Sequence, residues 1–445
     1  MNKLFHYMEK YFMPVAGRLA AQKHLCALRD GIALAMPMII IGSVFLILAN
    51  LPFPHYSDWL AHTFGKDFST KLAYPVDATF NMMGLIACFG IAYRLAESYE
   101  IDGVTAGVIS ICAFLLATPF SIPFIPVGAK EAIQVTGGIP VALMGSKGLF
   151  VAMIIALGST EIYRFIVKKN IVIRMPDGVP PAVSKSFVAL IPGFIVIFIV
   201  WLLRLWIENT HFGNLHNIVG DILGKPLGVL GTILWGSIIA EGLISLLWVC
   251  GLHGANIVSG VMGPIWLGAM GDNAAAYAAH KPLPHIITQQ FFDNFVHLGG
   301  SGATFGLVIL FLFFAKSGQL KQLGKLAIGP GIFEINEPVT FGAPIVMNAL
   351  LVIPFILAPL MNVVATYIGM DLGLVARPNG VAVPWTTPPI ISGFLATGSI
   401  SGAIMQAFNI VMDFFIYLPF FMMYDKMLKK QEVQVEEPSK NVVSM

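Results

Sequence analysis

Residues 329–342 read GPGIFEINEPVTFG and set two carboxylates, Glu334 and Glu337, inside an otherwise apolar stretch of chain. An acidic side chain at bilayer depth costs roughly 2.5–3.5 kcal/mol even on the lenient insertion scale, so such groups face a cavity, a partner or a substrate. Pro330, Gly331, Pro338 and Gly342 argue against one straight helix here. Irregular backbone at that depth is tolerated only where it packs in protein or lines water. The segment therefore reads as a binding site on a re-entrant or broken-helix loop.

Further residues join it as candidates. Gly251-Leu252-His253-Gly254 puts an imidazole between glycines at the end of an apolar run, where backbone approaches a ligand closely. Pro384-Trp385-Thr386-Thr387-Pro388-Pro389 puts an indole on a proline-fixed loop rather than in an interfacial belt. Residues 135–148, with Lys147, read as a flexible outer connector. Glu161 lies one turn from Arg164 and pairs with it along a helix face. Glu241, mid-span, calls for a function or a hidden ion pair. Asp272, Asp293, Asp371 and Asp413 read as span-boundary residues.

The elements that must position these side chains follow from composition. With 57% hydrophobic and 11% charged residues and a mean hydropathy of +0.80 over 445 residues, the chain belongs in a membrane. A net charge of +2, without a continuous basic patch, excludes a nucleic-acid partner. No cleavable signal peptide is expected in residues 1–30, which carry charge throughout. Cys26, Cys88, Cys112 and Cys250 are scattered singly, which gives neither a metal site nor a disulfide framework and is read as small core packing. No cofactor is called for, and no cysteine lies in a loop that would cradle phosphate.

Apolar runs of about 20 residues place spans at 31–51, 78–94, 103–124, 148–167 and 186–206. Lys3, Lys10, Arg18, Lys23 and Arg29 precede the first, and Arg164, Lys168, Lys169, Arg174 and Lys185 follow the fourth. The positive-inside rule puts both groups, and Asp177 with them, in the cytoplasm. Further spans are expected at 229–252, once within 254–294, and at 295–315, 345–370 and 404–424, with Lys316, Lys426, Lys429 and Lys430 inside. Residues 329–342 and the proline-cut stretch after 378 then form re-entrant hairpins. The expectation is an all-α polytopic membrane protein of about ten transmembrane helices plus two re-entrant hairpins, with both termini cytoplasmic. Residues 1–225 form an N-terminal membrane domain, 226–430 a C-terminal domain with the hairpins and site, and 431–445 a flexible tail.

Several separated motifs carry a family resemblance. Gly331-Ile332-Phe333 with Ile335-Asn336-Glu337-Pro338 and Phe341-Gly342, Gly251-Leu252-His253-Gly254, the loop around Met175-Pro176-Asp177 to Pro192-Gly193, and Leu298-Gly299-Gly300-Ser301-Gly302-Ala303-Thr304 resemble one group of proteins. It is the membrane IIC component of the phosphoenolpyruvate-dependent sugar phosphotransferase system, in its lactose/cellobiose/diacetylchitobiose family. The likeness runs from about residue 8 to 428.

The resemblance implies a homodimeric permease of the bacterial plasma membrane, with the first five spans at the dimer interface and the second half as a moving transport domain. Its substrate would be an oligosaccharide, such as the β-linked disaccharides cellobiose or diacetylchitobiose. The sugar 6-hydroxyl would receive a phosphoryl group from a phosphocysteine on a separate IIB protein, with IIA upstream. It implies Glu337 as general base, His253 beside it, and Asn336 and Trp385 in the sugar pocket. Glu334 and Thr340 depart from the family pattern, and Glu334 is read as a selectivity residue. The proton to be accepted and the apolar pyranose face suit a carboxylate and an indole. The alternative is an ion-coupled sugar symporter with Glu241 carrying the coupling.

Overall fold

The computed structural model describes residues 14, 17–18, 21–49, 55–124, 133–176, 178–343, 345, 348 and 350–442. Lys3, Lys10 and Asp177, on which part of the expected orientation rests, lie outside these residues, as do 443–445. Among the described residues, Lys23–Ala49, Thr70–Ser98, Ser146–Lys168, Ser186–Glu208, Val352–Asp371 and Ile400–Gln434 are long and apolar enough to cross a membrane. Gly103–Ala117, Leu234–Val249 and Phe305–Phe314 are apolar but shorter. Gly254–Ala278 supplies a helix of 25 residues where one further crossing was expected.

The shorter helices end where local chemistry stops them. Gly103–Ala117 halts before Pro119, and the chain then forms an antiparallel pair, Ser121–Phe124 with Ile133–Thr136, Ile122 opposite Val135. The expected span at 103–124 thus ends in a β-hairpin, and the expected connector begins as its second strand. In the span expected at 295–315, a π-helical turn ends at Val296 and the α-helix starts only at Phe305. Before it, Gly299, Gly300 and Gly302 have φ of 79°, 89° and 86°, a left-handed turn that only glycine adopts without strain.

In the first half, helices close through small residues. A Cβ on Gly31 would collide with the backbone of Ile91, and one on Gly107 with the ring of Phe89. Such contacts drive helix association in lipid, where tails are as apolar as leucine. At one end of this bundle Arg164 Nη2 pairs with Glu161 Oε2 at 2.5 Å, as expected, and His24 Nε2 reaches Glu161 Oε1 at 2.9 Å. Cys88 and Cys250 are buried, but Cys112 is exposed and takes no part in core packing. One buried apolar core runs through both halves, and residue 225 falls among the helical turns of 215–232.

The second half carries the irregular elements. Gly318–Ile332 is a helix that continues through Pro330, reverses at 333–336, and resumes as Glu337–Gly342. Residues 376–390 run without regular structure before the short helix Ile391–Thr397. Buried side chains satisfy this backbone, as an apolar interior demands. The Gln406 carbonyl accepts from the N–H groups of Ile390 and Gly393 at 2.6 and 2.8 Å, and Gln290 Oε1 accepts from Val383 at 3.0 Å. Ser43, from the first half, accepts from Ala382 at 2.8 Å. The last helix, Ile400–Val442, runs on through 431–442, expected as a flexible tail. Its Lys-Lys-Gln-Glu composition favours helix, and Glu432 docks on the Gln319 N–H at 3.2 Å.

Candidate functional site

A cavity of about 270 Å³ opens between the reversal at 333–336, the turn at 297–302, the start of the Gly254–Ala278 helix and the Trp385 loop. It brings together all of the site residues expected from sequence: His253, Glu334, Asn336, Glu337 and Trp385. They do not stand there in the same way.

Glu337 opens the helix that follows the reversal and is exposed. Among the described residues no protein group hydrogen-bonds its carboxylate. Glu334, three positions earlier, is buried at φ 64°. That left-handed backbone, uncommon for a residue with a side chain, turns its carboxylate into the glycine turn, where Oε2 accepts from the N–H groups of Gly299 and Gly300. Asn336 completes the clamp, donating Nδ2–H to the Ser301 carbonyl at 2.6 Å. The glycine turn is in turn held from below by the Tyr417 hydroxyl, which donates to the Gly302 carbonyl at 2.6 Å. Two of the hairpin's polar side chains thus fix its tip on the turn, and Glu337 projects from the fixed tip.

His253 caps the Gly254–Ala278 helix, its Nδ1 accepting the Asn256 N–H at 3.3 Å. With Nδ1 an acceptor, the neutral ring carries its proton on Nε2 and offers a donor to whatever it faces. Its ring lies 4.5 Å from that of Trp248, and it lines the same cavity as Glu337. The site therefore pairs an unengaged acceptor with an oriented donor. Trp248 and Trp385 supply flat apolar walls. The Trp385 loop is braced by a turn in which the Thr387 N–H donates to the Pro384 carbonyl at 2.9 Å.

The sequence reading missed His297 and misplaced two aspartates. His297 lines the cavity, and its Nε2 donates to Glu241 Oε2 at 2.7 Å. Glu241 is fully buried and also accepts from the Ser245 hydroxyl at 3.1 Å. Glu241 thus has a hidden partner in His297, and the two form an ion pair when the imidazole is protonated. In its neutral form His297 then offers Nδ1 as an acceptor, the complement of His253. Its signal was local: an imidazole two residues before the Gly299-Gly300 pair, like His253 beside Gly254. Asp293, expected at a span boundary, lines the cavity with Oδ1 accepting from Gln289 Nε2 at 2.9 Å. Asp413 is also no boundary residue; it is fully buried and accepts from Asn362 Nδ2 at 3.1 Å.

A family model, "Phosphotransferase system, EIIC", matches residues 29–359. The lichenan permease IIC component of Bacillus subtilis (strain 168) is 62% identical, the match covering 98% of this chain and 97% of that protein. The cellobiose-specific EIIC component of Geobacillus stearothermophilus is 58% identical over 97% of this chain and 96% of its own length. The crystal structure of the transporter ChbC, the IIC component from the N,N'-diacetylchitobiose-specific phosphotransferase system, superposes with a TM-score of 0.93 at 57% identity. The superposition covers 96% of this chain and 99% of that one.

Proposed function

The chain belongs to the phosphotransferase system EIIC family, and from that premise we propose that it carries a β-linked disaccharide such as cellobiose or diacetylchitobiose. It moves the sugar inward and presents its 6-hydroxyl to a phosphocysteine on a separate IIB protein. Relatives named for lichenan, cellobiose and N,N'-diacetylchitobiose support a β-linked substrate. The same comparisons support this reading against the ion-coupled symporter.

The observation that carries the assignment of roles is the contrast between the carboxylates. Glu337 has no protein partner among the described residues, whereas Glu334 is turned into the glycine clamp. A hydroxyl is a poor nucleophile at neutral pH, so in-line transfer needs its proton accepted as the bond to phosphorus forms. Glu337 accepts that proton. His253, with Nε2–H outward, donates to the hydroxyl oxygen or to an incoming phosphoryl oxygen, where charge gathers. Trp385 stacks on a pyranose face and Asn336 offers its side-chain oxygen to the sugar. Glu334 holds the hairpin tip and affects selectivity through it. The protein works as a homodimer in the bacterial plasma membrane, its first half at the dimer interface, its second half moving, and both termini cytoplasmic.

The test has two parts. Titration of the purified protein with cellobiose, diacetylchitobiose, lactose and manno-oligosaccharides ranks the substrates, and the first two are expected to bind tightest. In vesicles, sugar phosphate should appear only with the phosphorylated donor proteins, independent of any ion gradient. Accumulation of unmodified sugar driven by such a gradient would refute the reading. Glu337→Gln should retain sugar binding while phosphorylation falls by about 100-fold or more, the usual range for loss of a general base. A wild-type rate in that variant would remove Glu337 from the role.

A further inference from the structure

We propose that a groove between the last helix and the end of the Phe305–Phe314 helix, with Lys316 just beyond it, binds the headgroup of an anionic phospholipid. The groove encloses about 930 Å³ and shares no lining residue with the sugar cavity. Lys316, Lys426, Lys429 and Lys430 line it, all exposed. The acids beside them do not neutralise it. Asp425 is buried, with its oxygens accepting the backbone N–H groups of Lys316 and Ser317 at 2.8–3.0 Å. Glu432 reaches Lys429 at 3.3 Å. Among the described residues Lys316, Lys426 and Lys430 have no acidic partner.

A second feature fixes the ligand class. The groove's floor is apolar, built by Phe314 and Phe421, and it continues an exposed stripe on the last helix formed by Ile404, Phe408, Val411, Phe415 and Met422. Their spacing keeps them on one helix face. At 1.5 Å per residue, Phe415 lies about 21 Å below Lys429, a distance a lipid acyl chain spans. Lys426 to Lys430 sit about 39–45 Å along the axis from Ile400, beyond a hydrocarbon layer of about 30 Å and at headgroup level. A basic pocket between membrane helices, entered from a lipid-facing apolar stripe, suits a ligand with an anionic head and an apolar tail. A soluble protein domain would match the lysines but not the stripe.

Native mass spectrometry of the detergent-purified full chain, with dioleoylphosphatidylglycerol, dioleoylphosphatidylcholine or glycerol 3-phosphate as probe, tests this. The variants are Lys426→Gln/Lys429→Gln/Lys430→Gln, the same positions changed to Arg, and a remote set, Lys66→Gln/Lys71→Gln/Lys147→Gln. The anionic lipid is expected to bind wild type at least about tenfold tighter than the zwitterionic one. The groove glutamines should weaken it by about 10- to 100-fold, each lysine near a surface charge contributing up to several-fold. The arginine and remote sets should retain it, and sugar affinity reports that each variant is folded. Equal anionic-lipid affinity in wild type and the groove glutamine variant overturns the proposal. So does glycerol 3-phosphate binding as tightly as lipid. Loss of coupling to the IIB donor with lipid binding unchanged would assign the groove to that protein instead.

Discussion

Gly300→Ala tests the architecture that holds Glu337. Gly300 has φ 89° and its added Cβ would lie 2.7 Å from Asn336 Cβ and 2.8 Å from both Asn336 Cγ and the Glu334 carbonyl oxygen. The left-handed backbone alone costs an L-residue about 1–2 kcal/mol. Forcing a methyl into a packed site adds about 1–3 kcal/mol, for a total of about 2–5 kcal/mol. The strain must be relieved on one side or the other. The glycine turn cannot retreat, because Tyr417 holds Gly302 at 2.6 Å and Gly299 abuts Phe305. The hairpin tip is tied by the Glu334 and Asn336 bonds, each worth about 1–3 kcal/mol, so the tip gives way. A displacement of about 1 Å at Glu337 is enough to lower phosphoryl transfer by about 100-fold. The assay is the initial rate of sugar phosphorylation with the phosphorylated donor, alongside sugar affinity and thermal unfolding. The rate should fall more than the affinity. Gly329→Ala is the control, since nothing lies within 4 Å of its added Cβ. A wild-type rate in folded Gly300→Ala would refute the clamp as the element that places Glu337.

Trp385→Ala should weaken sugar binding by about 1–3 kcal/mol, or roughly 5- to 150-fold in Kd, by isothermal titration; unchanged affinity in a folded protein would leave the indole without a role. Glu241→Gln exchanges a charge-assisted bond to His297 for a neutral one, a loss of about 1–2 kcal/mol. Sugar affinity or phosphorylation should drop roughly 5- to 30-fold, and the same change in a His297→Gln background should have little effect; an undiminished effect there would show that Glu241 does not act through His297. A single cysteine at Gly318 should label only from the cytoplasmic side, and ones at Thr63 and His211 only from outside. External labelling at Gly318 would break the orientation.

Much about this chain is local and therefore readable without coordinates. Membrane residence follows from hydropathy, and the break near Glu334 follows from proline and glycine, because partitioning and φ preference belong to residues and their immediate neighbours. That is why 329–342, His253 and Trp385 stood out before any geometry was known. Other points needed the tertiary structure. Glu334 and Glu337 are the same residue type three positions apart, yet one is turned at φ 64° into backbone donors at Gly299 and Gly300 and the other is left unengaged. Nothing within the hairpin encodes that difference, since it depends on a turn 34 to 35 residues away. The place of Asp293 in the cavity and the pairing of His297 with Glu241 were equally hidden. The places of these two residues in the cavity are set by Gln289 nearby and by Glu241, which lies 56 residues earlier in the chain from His297. A buried polar group must find its partner wherever the fold brings one within about 3 Å, and that distance bears no relation to separation along the sequence.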